Sequence, residues 1–399
     1  MNPSTDPVPA RLWVIVPLFG VGQIITWGSL FYAIAVLAGP MAESLGMTTS
    51  TVFGAFSLSL GVSGLVSPAV GRAIDWLGGS IVLAAGSLVS ALALAVIALA
   101  GHPLVFFGGW MLAGIAMAAN LYDAAFPALS QFTGSRYRPA LTALTLFGGL
   151  ASTVFWPLAW HLNESLGWRP TIGLFALLHL LICLPIHRFA LPRTRVPAPA
   201  TPPASTAGPV PSSGRRRRFL WLAAAFTISS FVISATAVHA IGALRASGLD
   251  GATAILAASL IGPMQVVGRI LELAVARGVA ATRVGIAVFT GMLLAMLLLW
   301  QVGLAPWLAF AFATLYGLSN GVMSIVRGTV PAELFGRNDY GRMMGHLAQP
   351  AFFAKAIAPV LVAVLVADAG RYPTMALLLA VLAGAALAAY AAAVRGATR

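Results

Sequence analysis

Twelve apolar runs decide what this chain can fold into. A bilayer core of about 30 Å needs about 20 apolar residues per helix, and the first half supplies runs at 13–38, 50–72, 80–100, 103–131, 139–161 and 170–190. The second half supplies six more, at 219–247, 251–276, 283–302, 306–327, 341–367 and 371–394. Short turns rich in Gly, Pro, Asp and Arg, such as Ala246–Gly251 and Arg337–Tyr340, divide them. The expected fold is an all-α integral membrane protein with twelve transmembrane helices in two pseudo-symmetric six-helix bundles.

Between the two sets lies Pro192–Arg218, with seven prolines, small polar residues and a closing run of four arginines. Such a stretch cannot bury enough apolar surface to offset chain entropy, so it reads as a linker. The domains are therefore 1–191, a Pro/Arg-rich linker at 192–218, and 219–399. Across the chain 59% of residues are hydrophobic and 8% charged, against about 45–50% and about 25% in soluble domains. The net charge of +13 is distributed between apolar runs rather than over a soluble basic face, which excludes a nucleic-acid reader.

The single cysteine, Cys183, excludes an internal disulfide and a Cys-rich metal site. The first apolar run is too long for a signal-peptide core and reads as a retained helix. Nearly all Lys and Arg fall on one side, with Arg169, Arg245 and Arg371 opposite and Lys355 mid-helix. The positive-inside rule then places both termini and the linker in the cytoplasm, in the inner (plasma) membrane. The arginine run can touch anionic lipid.

Val70-Gly71-Arg72-Ala73-Ile74-Asp75 is echoed by Val267-Gly268-Arg269-Ile270-Leu271-Glu272, 197 residues later, and transporters commonly carry two-fold internal repeats. Twelve helices, a central linker and Gly71-Arg-Ala-Ile-Asp75-Trp-Leu-Gly78 together resemble the major facilitator superfamily. Its loop between helices 2 and 3 carries a G-x-x-x-D-R/K-x-G-R/K pattern, part of a charge network that latches the cytoplasmic gate. Gly71, Asp75 and Gly78 match it; Trp76 and Ser80 occupy its basic positions, and Arg72, Arg136 and Arg138 are the nearby substitutes. Within the superfamily the chain looks most like the monocarboxylate-transporter-like branch and its bacterial relatives. Trp27–Tyr32, Arg136–Ala140 and Gly262–Arg269 carry that resemblance. The branch's helix-8 Asp/Arg pair reads Gln265 and Arg269 here, and its helix-1 lysine is missing.

Ionisable residues inside a bilayer are functional candidates by default. Lys355 stands thirteen residues from both Arg342 and Asp368, about 20 Å from either along a helix, so it is expected near the midplane. Asp123 is its candidate counter-charge and proton carrier, and Asn120, at i, i+3, should share its face. Arg269 and Glu272 are spaced for a local ion pair, while Arg269 also suits an anionic substrate. The resemblance implies a cavity lined by helices 1, 4, 7 and 10, which adds His239, a residue able to titrate near neutral pH. Gln23, Thr26, Tyr32 and Asn320 complete the polar set; each could instead hold helices together.

No phosphate loop, zinc pair or nucleophile elbow occurs, so neither an enzyme nor an ATP-driven pump is expected, and no cofactor or metal. The expectation is a secondary active transporter for a small organic anion such as a monocarboxylate. It would work by alternating access around Lys355, Asp123 and Arg269, with proton coupling. Export of a drug or toxic metalloid, and a non-transporting sensor of the same fold, are the alternatives. Small-molecule substrate, protons and membrane lipids are the expected partners, and a monomer suffices.

Overall fold

The computed structural model describes residues 12–192, 212–366 and 372–395. Arg11, Arg193, Arg195, Asp368, Arg371 and Arg399, and linker positions 193–211, lie outside the described residues. The chain divides into two compact units, Met1–Val196 with Arg337–Gln349, and Pro197–Gly336 with Pro350–Arg399.

Among the described residues, eleven helical stretches are long and apolar enough to cross a membrane. One of them, Pro103–Leu166, has 64 residues, far more than the roughly 20 that one crossing needs. It is interrupted at Gly134, whose φ of 50° and ψ of −130° suit only glycine, and so provides two crossings. Twelve crossings result.

In the first unit, α1 (Leu12–Trp27) continues through a π-helical turn, Gly28–Tyr32, into α2 (Ile34–Ser44). Then come α3 (Thr49–Leu77), α4 (Gly79–Leu99), and a fourth crossing made of α5 (Pro103–Asn120) and α6 (Tyr122–Thr133). The fifth is α7 (Tyr137–Gly149) with α8 (Ala151–Leu166). The sixth is α9 (Trp168–Leu178), followed by two π-helical stretches, His179–Cys183 and Ile186–Ala190.

The second unit opens with α10 (Ser212–Ala246), then α11 (Gly251–Ser259) with α12 (Ile261–Val275), and α13 (Ala281–Gln301). It ends with α14 (Trp307–Phe335), α15 (Tyr340–Leu365) and α16 (Tyr372–Val394). Because α10 begins at Ser212, the arginines Arg215–Arg218 are helical rather than linker. Arginine is a good helix former, so the helix that the apolar run demands extends back through it. The first turns of α15 group with the first unit.

Packing uses small residues, as expected where lipid removes the hydrophobic drive between helices. Ser59, Ser63 and Ser67 form a buried stripe on α3, and Ser63 Oγ reaches both Ser59 O and the α5 carbonyl of Gly114 at 2.7 Å. In the second unit, α12 and α14 approach so closely that a β carbon at Gly317 or Gly321 would strike the α12 backbone.

The two units share a pair of corresponding contacts, at residues other than the Val70–Asp75 and Val267–Glu272 echo. Gln131 Oε1 accepts the Gly79 N–H that starts α4, at 2.8 Å, and Glu333 Oε2 accepts the Ala281 N–H that starts α13, at 2.7 Å. Both contacts join residues 52 positions apart, one in each unit.

Candidate functional site

The fourth crossing is broken in the middle of the first unit. Leu121 is extended, with φ −75° and ψ −178°, so α5 ends at Asn120 and α6 restarts at Tyr122. A helix end leaves carbonyls without partners, and Gln23 of α1 supplies one: its Nε2 donates to Asn120 O at 2.9 Å. Asn120 Nδ2 donates to Ser90 Oγ at 3.2 Å. With both amide nitrogens used this way, Gln23 Oε1 and Asn120 Oδ1 remain buried without a protein partner, as does Trp27 Nε1. An unsatisfied buried polar atom costs about 1–3 kcal/mol, and each one calls for an explanation. Interrupted helices with free polar groups are where transporters of repeat architecture hold their cargo.

Aromatic rings surround this break. Trp27 stands 4.9 Å from Tyr122 by ring centroids, and Tyr122 stacks on Phe126 at 5.0 Å. Tyr32 packs against Trp27, Phe31 and Trp156. Asp123 lies half-buried in the first turn of α6, where the positive end of a helix favours a carboxylate. Pro127, four residues on, has no N–H for the Asp123 carbonyl. Asn120 and Asp123 were expected to share one helical face; the break at Leu121 corrects that, because no continuous helix joins them.

The Gly71–Gly78 segment also lies in the first unit. Asp75 Oδ1 accepts the Gly341 N–H at 2.8 Å, and Oδ2 the Arg342 N–H at 2.7 Å, so its carboxylate caps the start of α15. Gly71 makes this approach possible, since a β carbon there would strike the Gly341 carbonyl oxygen. Gly78 ends α3 at φ 86°. The segment expected as a loop is therefore helical through Leu77, with Gly78 as the turn. Trp76 is 87% exposed, and Ser80 is buried with its Oγ on His187 O at 2.6 Å. Arg72 is exposed and lines an open cleft of about 540 Å³ with Asp75, Trp76, Asp339 and Arg342. A basic residue also reaches Gly134 at the end of α6: Arg337, through Nη1 at 2.8 Å.

In the second unit, Arg269 is 5% exposed and Glu272 6% exposed on α12. Arg269 Nε has no protein partner, so the expected ion pair is not made through that nitrogen. Gln265 is half-buried, and its backbone forms the close approach to Gly321. Asn320 is half-buried on α14. Lys355 is half-buried on α15, with Nζ 5.1 Å from the centroid of the Phe352 ring. Pro359, lacking an N–H, leaves the Lys355 carbonyl without its helical donor, and Ser234 Oγ of α10 replaces it at 2.8 Å. His239 Nε2 lies 3.0 Å from Pro359 O; a carbonyl cannot donate, so the histidine does. Lys355, Ser234 and His239 thus gather around one proline-broken stretch of α15. Asp123 belongs to the first unit and Lys355 to the second.

One polar group was not among the candidates singled out from the sequence. His179 and His187 are fully buried in the sixth crossing, where π-helical turns often mark functional sites. Ser29 Oγ already donates to Ile25 O at 2.7 Å, so His179 Nε2 donates to Ser29 at 2.9 Å. Ser87 Oγ likewise donates to Leu83 O at 3.0 Å, so His187 Nδ1 donates to it at 2.8 Å. The other ring nitrogen of each, His179 Nδ1 and His187 Nε2, is buried without a hydrogen-bond partner. The i, i+8 spacing through buried Cys183 was the available signal.

Two sets of six crossings, one of them broken beside buried polar groups, define a multi-pass α-helical membrane protein. The major facilitator superfamily model matches residues 19–312, and the chain belongs to that family. Among solved structures, the human organic anion transporter MFSD10 (TETRAN) is similar at 16% identity and TM-score 0.69, covering 96% of this chain and 100% of its own. The major facilitator transporter FucP, in the outward conformation, is similar at 14% identity and TM-score 0.71, covering 95% and 98%. No curated protein matches in sequence. Membership makes the protein a carrier of small-molecule substrate in a lipid membrane; the structural likenesses support the fold.

Proposed function

We propose that this transporter moves a small organic anion, such as a monocarboxylate, with proton coupling. The observation that carries the reading is Arg269: a permanent cation, 5% exposed in an apolar span, whose Nε has no protein partner. A guanidinium offers a planar fork that matches a carboxylate, and a buried cation inside a membrane is a functional candidate by default. The human neighbour's description as an organic anion transporter agrees with this choice. Asp123 is the proton carrier in this reading, and Lys355 a second cation that answers the anion's charge. The polar atoms Gln23 Oε1, Asn120 Oδ1 and Trp27 Nε1 orient the cargo. We place both termini and the linker in the cytoplasm and the protein in the inner (plasma) membrane.

The aromatic rings around Tyr122 favour one other reading, export of an apolar drug. Proteoliposomes given a pH gradient and a panel of labelled organic acids and toxicants separate the two. Anion uptake that follows the gradient, with Arg269→Gln raising KM at least about tenfold, is expected; about 1.4 kcal/mol of anion contact suffices. Asp123→Asn should stop gradient-driven accumulation while sparing counterflow exchange. Uptake of no acid, or unchanged KM in Arg269→Gln, sinks the anion reading. Binding without flux would identify a sensor.

A further inference from the structure

The arginine run that opens α10 stands at the wrong end of its helix. Four cations, Arg215–Arg218, occupy the first turns, where the helix dipole is already positive and each like charge destabilises. Two of them find relief inside the unit. Arg215 donates to Phe335 O at 3.1 Å, the last carbonyl of α14, and its guanidinium lies 6.0 Å from the Phe335 ring. Arg218 donates to Arg395 O at 3.2 Å, just beyond α16. Both carbonyls lie at the negative ends of neighbouring helices. Arg216 and Arg217 are exposed, and no hydrogen bond or ion pair holds either among the described residues.

Among the described residues of this unit, no carboxylate stands beside them. Its described acids are Asp250, Glu272 and Glu333. Asp250 caps α11, Glu272 is buried in α12, and Glu333 is committed to Ala281 and Thr282 at the start of α13. Arg283 and Arg395, both exposed, add positive charge near the ends of α13 and α16. The α10 crossing, Gly214–Ala246, has 33 residues, about 50 Å at 1.5 Å per residue. That exceeds the about 30 Å hydrocarbon core, so its charged first turns reach the headgroup layer. Exposed Leu220 and Trp221 follow directly, an arrangement typical of the membrane interface.

We propose that Arg216 and Arg217 form a binding surface for anionic phospholipid headgroups, while Arg215 and Arg218 tie α10 to α14 and α16. The anion supplies the counter-charge that the helix dipole and the unit's described carboxylates withhold. The full-length protein can be purified and placed in nanodiscs of phosphatidylcholine mixed with phosphatidylglycerol, and its retained lipid read by native mass spectrometry. Arg216→Gln/Arg217→Gln should lower the preference for phosphatidylglycerol about 30-fold, from about one factor of five per arginine at a charged surface. Its thermal midpoint in neutral detergent should not change. Arg215→Gln/Arg218→Gln should keep more of the lipid preference and lower that midpoint. Equal phosphatidylglycerol retention in wild type and Arg216→Gln/Arg217→Gln overturns the proposal, as does a fall in that variant's midpoint matching the other's.

Discussion

Replacing Asp75 with alanine removes both acceptors from the first turn of α15. The carboxylate takes the Gly341 and Arg342 N–H groups at 2.8 and 2.7 Å, and a charged acceptor contributes about 1.5–3 kcal/mol per hydrogen bond when well buried. Asp75 is only half-buried, so about 1 kcal/mol each is the better figure, consistent with about 0.5–2 kcal/mol for a lost helix cap. The sum, about 2 kcal/mol, is about a 30-fold change in an opening equilibrium. Hydrogen exchange of the protein in detergent micelles should therefore show the amides of Gly341 and Arg342 exchanging about 30-fold faster in Asp75→Ala. Asp75→Asn keeps one acceptor oxygen and should give about a fivefold change. The distant cap at Asp250 serves as an internal control and should not change. Unaltered exchange at 341 and 342 in the alanine variant, or an asparagine variant as fast as alanine, would refute the capping argument.

Gly71→Ala pushes a methyl against the Gly341 carbonyl oxygen and should destabilise the protein by about 1–3 kcal/mol, seen as a lower thermal midpoint; Gly54→Ala, with open space around it, should not. Ser234→Ala removes the donor that serves the Lys355 carbonyl, at about 1 kcal/mol. Pro359→Ala restores the missing N–H, so a double-mutant cycle should give a combined loss smaller than the sum, and strict additivity would contradict the assignment. Asp250 accepts from the Thr253 side chain and from the N–H groups of Thr253 and Ala252, which holds its carboxyl below the usual carboxylate range. A depressed folded value means the cap is complete above the unfolded pKa of 3.8 and fades as pH falls through the folded value. Exchange at Ala252 and Thr253, corrected for intrinsic rates, should report this loss, and Asp250→Asn should abolish it.

Much of the candidate site was legible. Arg269 and Lys355 stand out because a charge inside an apolar run is visible in a local window, and the Gly71–Gly78 motif because its spacing is local too. The partner of Asp75 was not legible, since Gly341 lies 266 positions away. Nor was the break at Leu121, which has no glycine or proline beside it. Gln23, singled out only as one of several weak polar residues, is tied to the break through a carbonyl 97 positions on. The serine partners of His179 and His187, Ser29 in the π-helical turn after α1 and Ser87 on α4, lie 150 and 100 positions away and were not legible either.

By itself, the sequence determined the number of crossings, the separation of two six-helix sets by a proline-rich linker, and the family motif. Those properties follow from hydropathy and spacing, which act along the chain over about 20 residues. Tertiary structure alone decided which arginines of the Arg215–Arg218 run are tied and which face outward. It also decided that the fourth crossing is broken, and that Asp75 caps α15. The physical reason is the same in each case: inside a membrane, every polar group must find a partner, and the partner is set by which helices pack together, not by what lies next in sequence.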